Sequence, residues 1–223
     1  MSEKIKLITS KFSPYCHRVE MVMIEKKIPY EKQEVELAKK PDWFVKDAPL
    51  GKVPLLYVGE KTLFESIVIC EYLEEAFPEN QLHQKDAYNK AWHRAWIEFS
   101  NGILSAVFGV MFSQDKEQFD SKKTEVITKL TLLEKNLKAA PFFDGEKFML
   151  IDACMASSLK PLVFLDNKFA LQFFAAHPKV AAYAQNLLAR PSLETSLPKN
   201  YEELVTSFLE RKKSYLLSMG LGL

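Results

Sequence analysis

The stretch FSPYCHRV, Phe12 to Val19, has the spacing of a thiol redox tetrad with its reactive end altered. In a Cys-Pro-x-Cys site the first residue stands at the exposed start of a helix and attacks, while the fourth lies a turn inside and resolves. Here Ser13 holds the attacking place and Cys16 the resolving one. An alcohol is too weak an acid to become a nucleophile without a base, and His17 lies beyond Ser13 on the helix with no evident reach. Ser13 is therefore suited to donating a hydrogen bond. Cys16 is expected half-buried, either as a small apolar residue packed under the motif or as a redox thiol. Thr9 and Ser10 are reserve hydroxyls only.

Glu65-Ser66 lies where an extended segment gives way to a helical one. Ser66 is a good helix N-cap. The same helix start also offers free N–H groups and a positive dipole end to an anion. Val53-Pro54, taken alone, is a turn proline ahead of a strand, and Lys40 and Lys52, taken alone, are solvated lysines. The histidines His17, His83, His93 and His177 share no metal-ligand spacing and stand apart from the cysteines, so no metal site is expected.

These groups need a scaffold, and hydrophobic periodicity predicts one. IKLITS alternates as a strand does, and after Pro14 the spacing of Val19, Val22 and Met23 turns helical. IPYEKQEVEL is extended again. Pro41-Asp42-Trp43-Phe44 starts a short helix with proline in its first turn, and Trp43 and Phe44 fix that helix rather than touch a ligand. VPLLYVG and EKTLF form a hairpin turned at Gly59-Glu60, and ESIVICEYLEEAF is an amphipathic helix ended by Pro78. The order β-α-β-α-β-β-α is the thioredoxin-like arrangement.

Residues 79–85 are polar and read as a linker between a domain of residues 1–78 and an all-α domain of residues 86–223. In the latter, Trp92, Ala95, Trp96, Phe99, Ile103, Val107 and Val110 recur at helical steps along one long helix. Further helices are predicted over Lys116 to Ala139, Ile151 to Leu165, His177 to Arg190 and Tyr201 to Leu217, the second of these buried on nearly every side.

Composition narrows the function. Apolar residues make up 48% of the 223 and charged ones 26%, as in a globular chain with a proper core. Thirty Lys and Arg balance 29 Asp and Glu, so no nucleic-acid partner is implied, and Arg211-Lys212-Lys213 reads as a solvated face. Three scattered cysteines make no disulfide framework, and the N-terminus lacks the core of a signal peptide. No apolar run approaches the roughly 18 residues of a membrane span, so a reducing, cytoplasmic setting without membrane association is expected.

FSPYCHRV, KKPDWFVKDAPLGKVPLL, FESIVICEYLEEAFP and FFDGEKFMLIDA, in this order and spacing, resemble the cytosolic glutathione transferases across essentially the whole chain. PDWF with the following Pro-x-Gly looks most like the omega class. Ser13 and the Lys before Val-Pro look more like tau. The resemblance implies an α/β thioredoxin-like N-terminal domain plus an all-α C-terminal domain, a homodimer with contacts around Leu63, Phe64 and the long helix, and glutathione as cosubstrate.

It also implies a role for each candidate residue. Val53-Pro54 would be a cis pair whose Val53 backbone meets the cysteinyl unit of glutathione. Glu65 would take the γ-glutamyl ammonium and Ser66 its carboxylate, while Lys40 and Lys52 reach the glycyl carboxylate. Ser13 would donate to the thiolate. Tyr15, Phe108, Met111 and Tyr215 are candidates for the wall of a pocket for a small apolar electrophile. Asp152 would cap the buried helix, with Met149 where the family has Ser or Thr, so that one of the two reciprocal bonds is missing. The expected activity is glutathione transfer. Two rivals are a glutathione-dependent thiol oxidoreductase using Cys16, and a regulator resembling stringent starvation protein. The latter's Pro-His-Pro type linker is missing from FPENQLHQ.

Overall fold

The computed structural model describes residues 4–220. Four strands form one sheet in the order β2-β1-β3-β4: β1 (Ile5–Thr9), β2 (Glu31–Glu34), β3 (Leu55–Val58) and β4 (Lys61–Phe64). β1 runs parallel to β2 and antiparallel to β3, and the β3–β4 hairpin turns through Gly59 at φ 60°. Only Gly takes that backbone without steric cost. Alternation divides the core as a pleated strand must. Leu7 and Leu56 point into the main core, while Ile8 and Leu55 join Cys16, Phe44 and Val53 in a smaller cluster. β2, which reads Glu-Lys-Gln-Glu, is a charged edge strand whose Glu31 pairs with Lys4 and Lys6.

Helix α1 (Pro14–Glu25) starts with Pro14 in its first turn, where a missing N–H costs nothing. It lies between α3 (Ser66–Ala76) and the helical domain, so it is buried on nearly all sides. Helix α2 (Asp42–Asp47) has Pro41 as its N-cap, one place earlier than expected, and anchors on buried Phe44. Ser66 is not the N-cap of α3. That place belongs to Glu65, at φ 68°, with Ser66 as the first helical residue.

The helical domain comprises α4 (Ala87–Phe112), α5 (Lys116–Asn136), α6 (Leu150–Phe169), α7 (Pro178–Leu188), α8 (Pro191–Ser196) and α9 (Tyr201–Arg211), then a 3₁₀ turn (Tyr215–Met219). The expected helix over His177 to Arg190 ends at Leu188, and Pro191 starts a separate α8. Likewise α9 stops at Arg211 and the chain tightens into the 3₁₀ turn. By length and composition α4 is apolar enough to cross a membrane, contrary to the sequence expectation. In this fold it is a core helix, packed on α5 and α6 through Ile97, Ile103, Val107 and Val110. Asp152 accepts from the amides of Met149 (2.8 Å) and Phe143 (2.9 Å) and from the Tyr183 hydroxyl (2.7 Å), so the cap bond expected of it is made.

Charges clamp the two parts together. Lys26 and Glu74 form a buried pair at 2.8 Å, and Glu74 also accepts from the amides of Leu82 and His83, fixing the connecting segment. Glu71 on α3 takes His83 and, bidentately, Arg94 of α4.

Candidate active site

Where the sheet's end faces α4, a cleft of about 690 Å³ opens between the two parts. Its wall includes Tyr15, Lys52, Val53, Pro54, Glu65 and Ser66, with Glu98, Asn101 and Ser105 of α4 opposite. Six of the sequence candidates therefore meet in one concavity. The Val53–Pro54 bond is cis, as the resemblance implied. Lys40 does not line the cleft but reaches across Gly51. Its ammonium lies 3.2 Å from where a Cβ on that glycine would stand, next to Lys52.

Glu65 is the strained residue of this wall. A non-glycine side chain at φ 68° costs on the order of 1–3 kcal/mol and persists only where the surroundings over-determine it. Its side chain does not cap α3, so the first amides of that helix have no side-chain acceptor from the N-cap. A free helix start beside an exposed carboxylate offers complementary sites to a zwitterion.

Ser13 is 7% exposed and stands at the N-cap of α1 without capping it by its side chain. It lies behind the lining residues, its hydroxyl facing the Cys16 thiol together with that of Thr9. Cys16 is fully buried rather than half-buried, because it packs with Ile8, Phe44 and Leu55 in the smaller core cluster. Burial pushes its thiol up, and the bonds from Ser13 and Thr9 offset this only in part. Thiols buried in apolar surroundings are ordinarily inert packing groups. His17 is also buried, which lowers it to about 4, and its ring nitrogen lies 3.3 Å from the Lys11 carbonyl.

Of the four pocket candidates, Tyr15 and Phe108 face each other at 6.5 Å. Met111 does not belong to the wall. Helical spacing sends it with Val107 and Val110 into the main core, where it is fully buried. Tyr215 leaves the set too: its ring packs on Phe119 at 5.6 Å and its amide bonds the Ser113 carbonyl, tying the chain's end to α4 and α5. The residues that sequence reasoning missed continue from Phe108. Phe108 stacks on Phe112 (5.6 Å), Phe112 meets Phe208 (5.6 Å), and Phe208 meets Phe12 (5.1 Å). This aromatic chain joins α4 and α9 to the start of α1. The i, i+4 pair Phe108 and Phe112 was the available signal.

Residues 12–76 match the model of the glutathione S-transferase N-terminal domain, and residues 99–191 that of the glutathione S-transferase C-terminal domain. The chain belongs to the glutathione S-transferase family. This glutathione S-transferase chain is 30% identical over 200 residues to a probable glutathione S-transferase of Glycine max, covering 88% of this chain and 89% of that one. Among solved structures it resembles the omega-class transferase 3C of Trametes versicolor, at 28% identity and a TM-score of 0.79 over 91% of this chain and 93% of that one. It also resembles the tau-class MiGSTU of Mangifera indica, at 26% identity and a TM-score of 0.82 over 94% and 98%. Likeness to both classes accords with the mixed motif pattern of the sequence.

Proposed function

We propose that this glutathione S-transferase binds glutathione in the cleft and joins its sulfur to a small apolar electrophile held against the aromatic chain. One observation carries the proposal: cis Val53–Pro54, Lys52, Glu65 and Ser66, each suited to one part of the tripeptide, line a single cleft. Glu65 takes the γ-glutamyl ammonium, Ser66 and the start of α3 take its carboxylate, and Lys52 with Lys40 takes the glycyl carboxylate. The Val53 backbone pairs with the cysteinyl unit as an added strand would.

Ser13 rotates about χ1 from Cys16 and donates to the cosubstrate sulfur, favouring thiolate over thiol. The thiol proton passes to bulk water. The thiolate's electron pair then forms a bond to the electrophilic carbon as the bond to the leaving group breaks, the leaving group departing with its pair. A free thiol has a pKa of about 8.5, so a shift of one or two units is all that neutral pH requires. The same proposal includes a cytoplasmic, detoxifying role and a homodimer. Phe64, Val68, Tyr88 and Trp92 are exposed apolar residues suited to the dimer contact. The test is titration with glutathione, then turnover of an aryl halide against a mixed disulfide. Aryl transfer is expected. Mixed-disulfide reduction that depends on Cys16 would replace transfer with redox chemistry.

A further inference from the structure

Arg18, on α1, is fully buried. Its Nη1 donates to Asn101 Oδ1 at 2.7 Å and its Nε to Ser157 Oγ at 3.2 Å, which engages α4 and α6. Its Nη2 is buried and has no partner, and among the described residues no carboxylate pairs with the guanidinium. A guanidinium stays charged in proteins, and an unpaired buried charge is costly. The groups around it do not cancel it. On α3, Glu71 is committed to His83 and Arg94; on α4, Glu98 binds the Asn101 amide at 3.1 Å; on α1, Tyr15 offers its ring face at 5.2 Å. Its charge also reaches two buried thiols, Cys70 of α3 and Cys154 of α6. Burial pushes both up, and the Arg18 charge pulls both the other way.

The two groups that Arg18 holds toward the cleft, Asn101 and Tyr15, both line it. An uncompensated charge one side chain behind a cleft wall acts on whatever anion enters, because the intervening protein screens it less than water does. We infer that Arg18 is a positioning residue whose unshared positive charge, acting through Asn101 and Tyr15, holds the sulfur of bound glutathione as thiolate. This rests on the cleft being the glutathione site and adds an electrostatic source distinct from the Ser13 hydroxyl.

The experiment measures the pKa of the bound thiol from the pH dependence of thiolate ultraviolet absorbance. Affinity for S-methylglutathione, which has no thiol to ionise, is measured in parallel. Arg18→Met should raise the bound thiol's pKa by about half a unit to one unit, within the range of opposite-charge effects. S-methylglutathione affinity should stay within about two-fold, and Arg18→Lys should restore most of the shift. Ser157→Asp supplies the missing counter-charge from α6, away from the cleft wall, so it should raise the pKa as well. It decides the matter alone if Arg18→Met does not fold. An unshifted thiol pKa with intact S-methylglutathione binding overturns the inference and leaves the glutathione site standing. Failure of the wild-type protein to bind S-methylglutathione overturns both.

Discussion

Replacing Glu65 with alanine removes the one carboxylate proposed to meet the γ-glutamyl ammonium, and its cost can be bounded. A hydrogen bond to a charged group is worth about 1.5–3 kcal/mol, and each 1.4 kcal/mol is ten-fold in affinity, so the span is about ten- to hundred-fold. Glu65 is exposed at the cleft margin, where water and salt screen it, which favours the lower end: about ten-fold weaker binding. Its backbone at φ 68° adds a second effect that must be separated. Glycine relieves that strain and alanine does not. Glu65→Gly and Glu65→Ala should therefore bind glutathione equally weakly in calorimetric titration, since both lack the carboxylate. Raising the salt should narrow the gap to wild type. If Glu65→Ala binds within two-fold of wild type, the zwitterion site is wrong. If Glu65→Gly alone recovers full affinity, the backbone and not the charge makes the site.

Under saturating glutathione, Ser13→Ala should lower aryl transfer and raise the pKa of the bound thiol, while Cys16→Ala should change turnover little; the opposite pattern in a stopped-flow assay would assign the chemistry to Cys16. Acid stability should depend on Glu71: burial works against its charge, but the bonds from His83 and Arg94 outweigh burial and lower it from 4.5 to about 2. A carboxyl group with a lower pKa folded than unfolded contributes stability above pH 4.5 that is lost as pH falls toward 2. Glu71→Gln should thus unfold at lower temperature at pH 7 and show a flatter decline between pH 4.5 and 2 by thermal melts; parallel curves would contradict this. Sedimentation at micromolar concentration should show a dimer, and Trp92→Glu with Val68→Glu should give a folded monomer, since both residues are exposed on the face proposed to pair.

What was legible in the chain follows from the range of the interaction responsible. The strands announced themselves because a period of two is local, and Leu7 and Ile8 go to opposite faces of the sheet whatever lies above or below. The cap of α3 lies one residue earlier than cap preference, which favours Ser66, suggests, because the cleft wall holds Glu65 in a left-handed backbone that no local preference would choose. Met111 and Phe108 look alike in sequence, and only the packing of α5 and α6 on α4 sends one to the core and leaves the other at the aromatic chain. Phe12 and Phe208 are almost two hundred positions apart and meet only because α9 folds back on the start of α1. Arg18 is the extreme case. An arginine inside a helix ordinarily reads as a solvated charge, and nothing nearby in the chain marks it otherwise. It becomes a source of field in the cleft only when α4 and α6 close over it with neutral partners, Asn101 and Ser157, in place of a carboxylate. A charge without a counter-charge is a property of three helices at once, so no single stretch of sequence could have shown it.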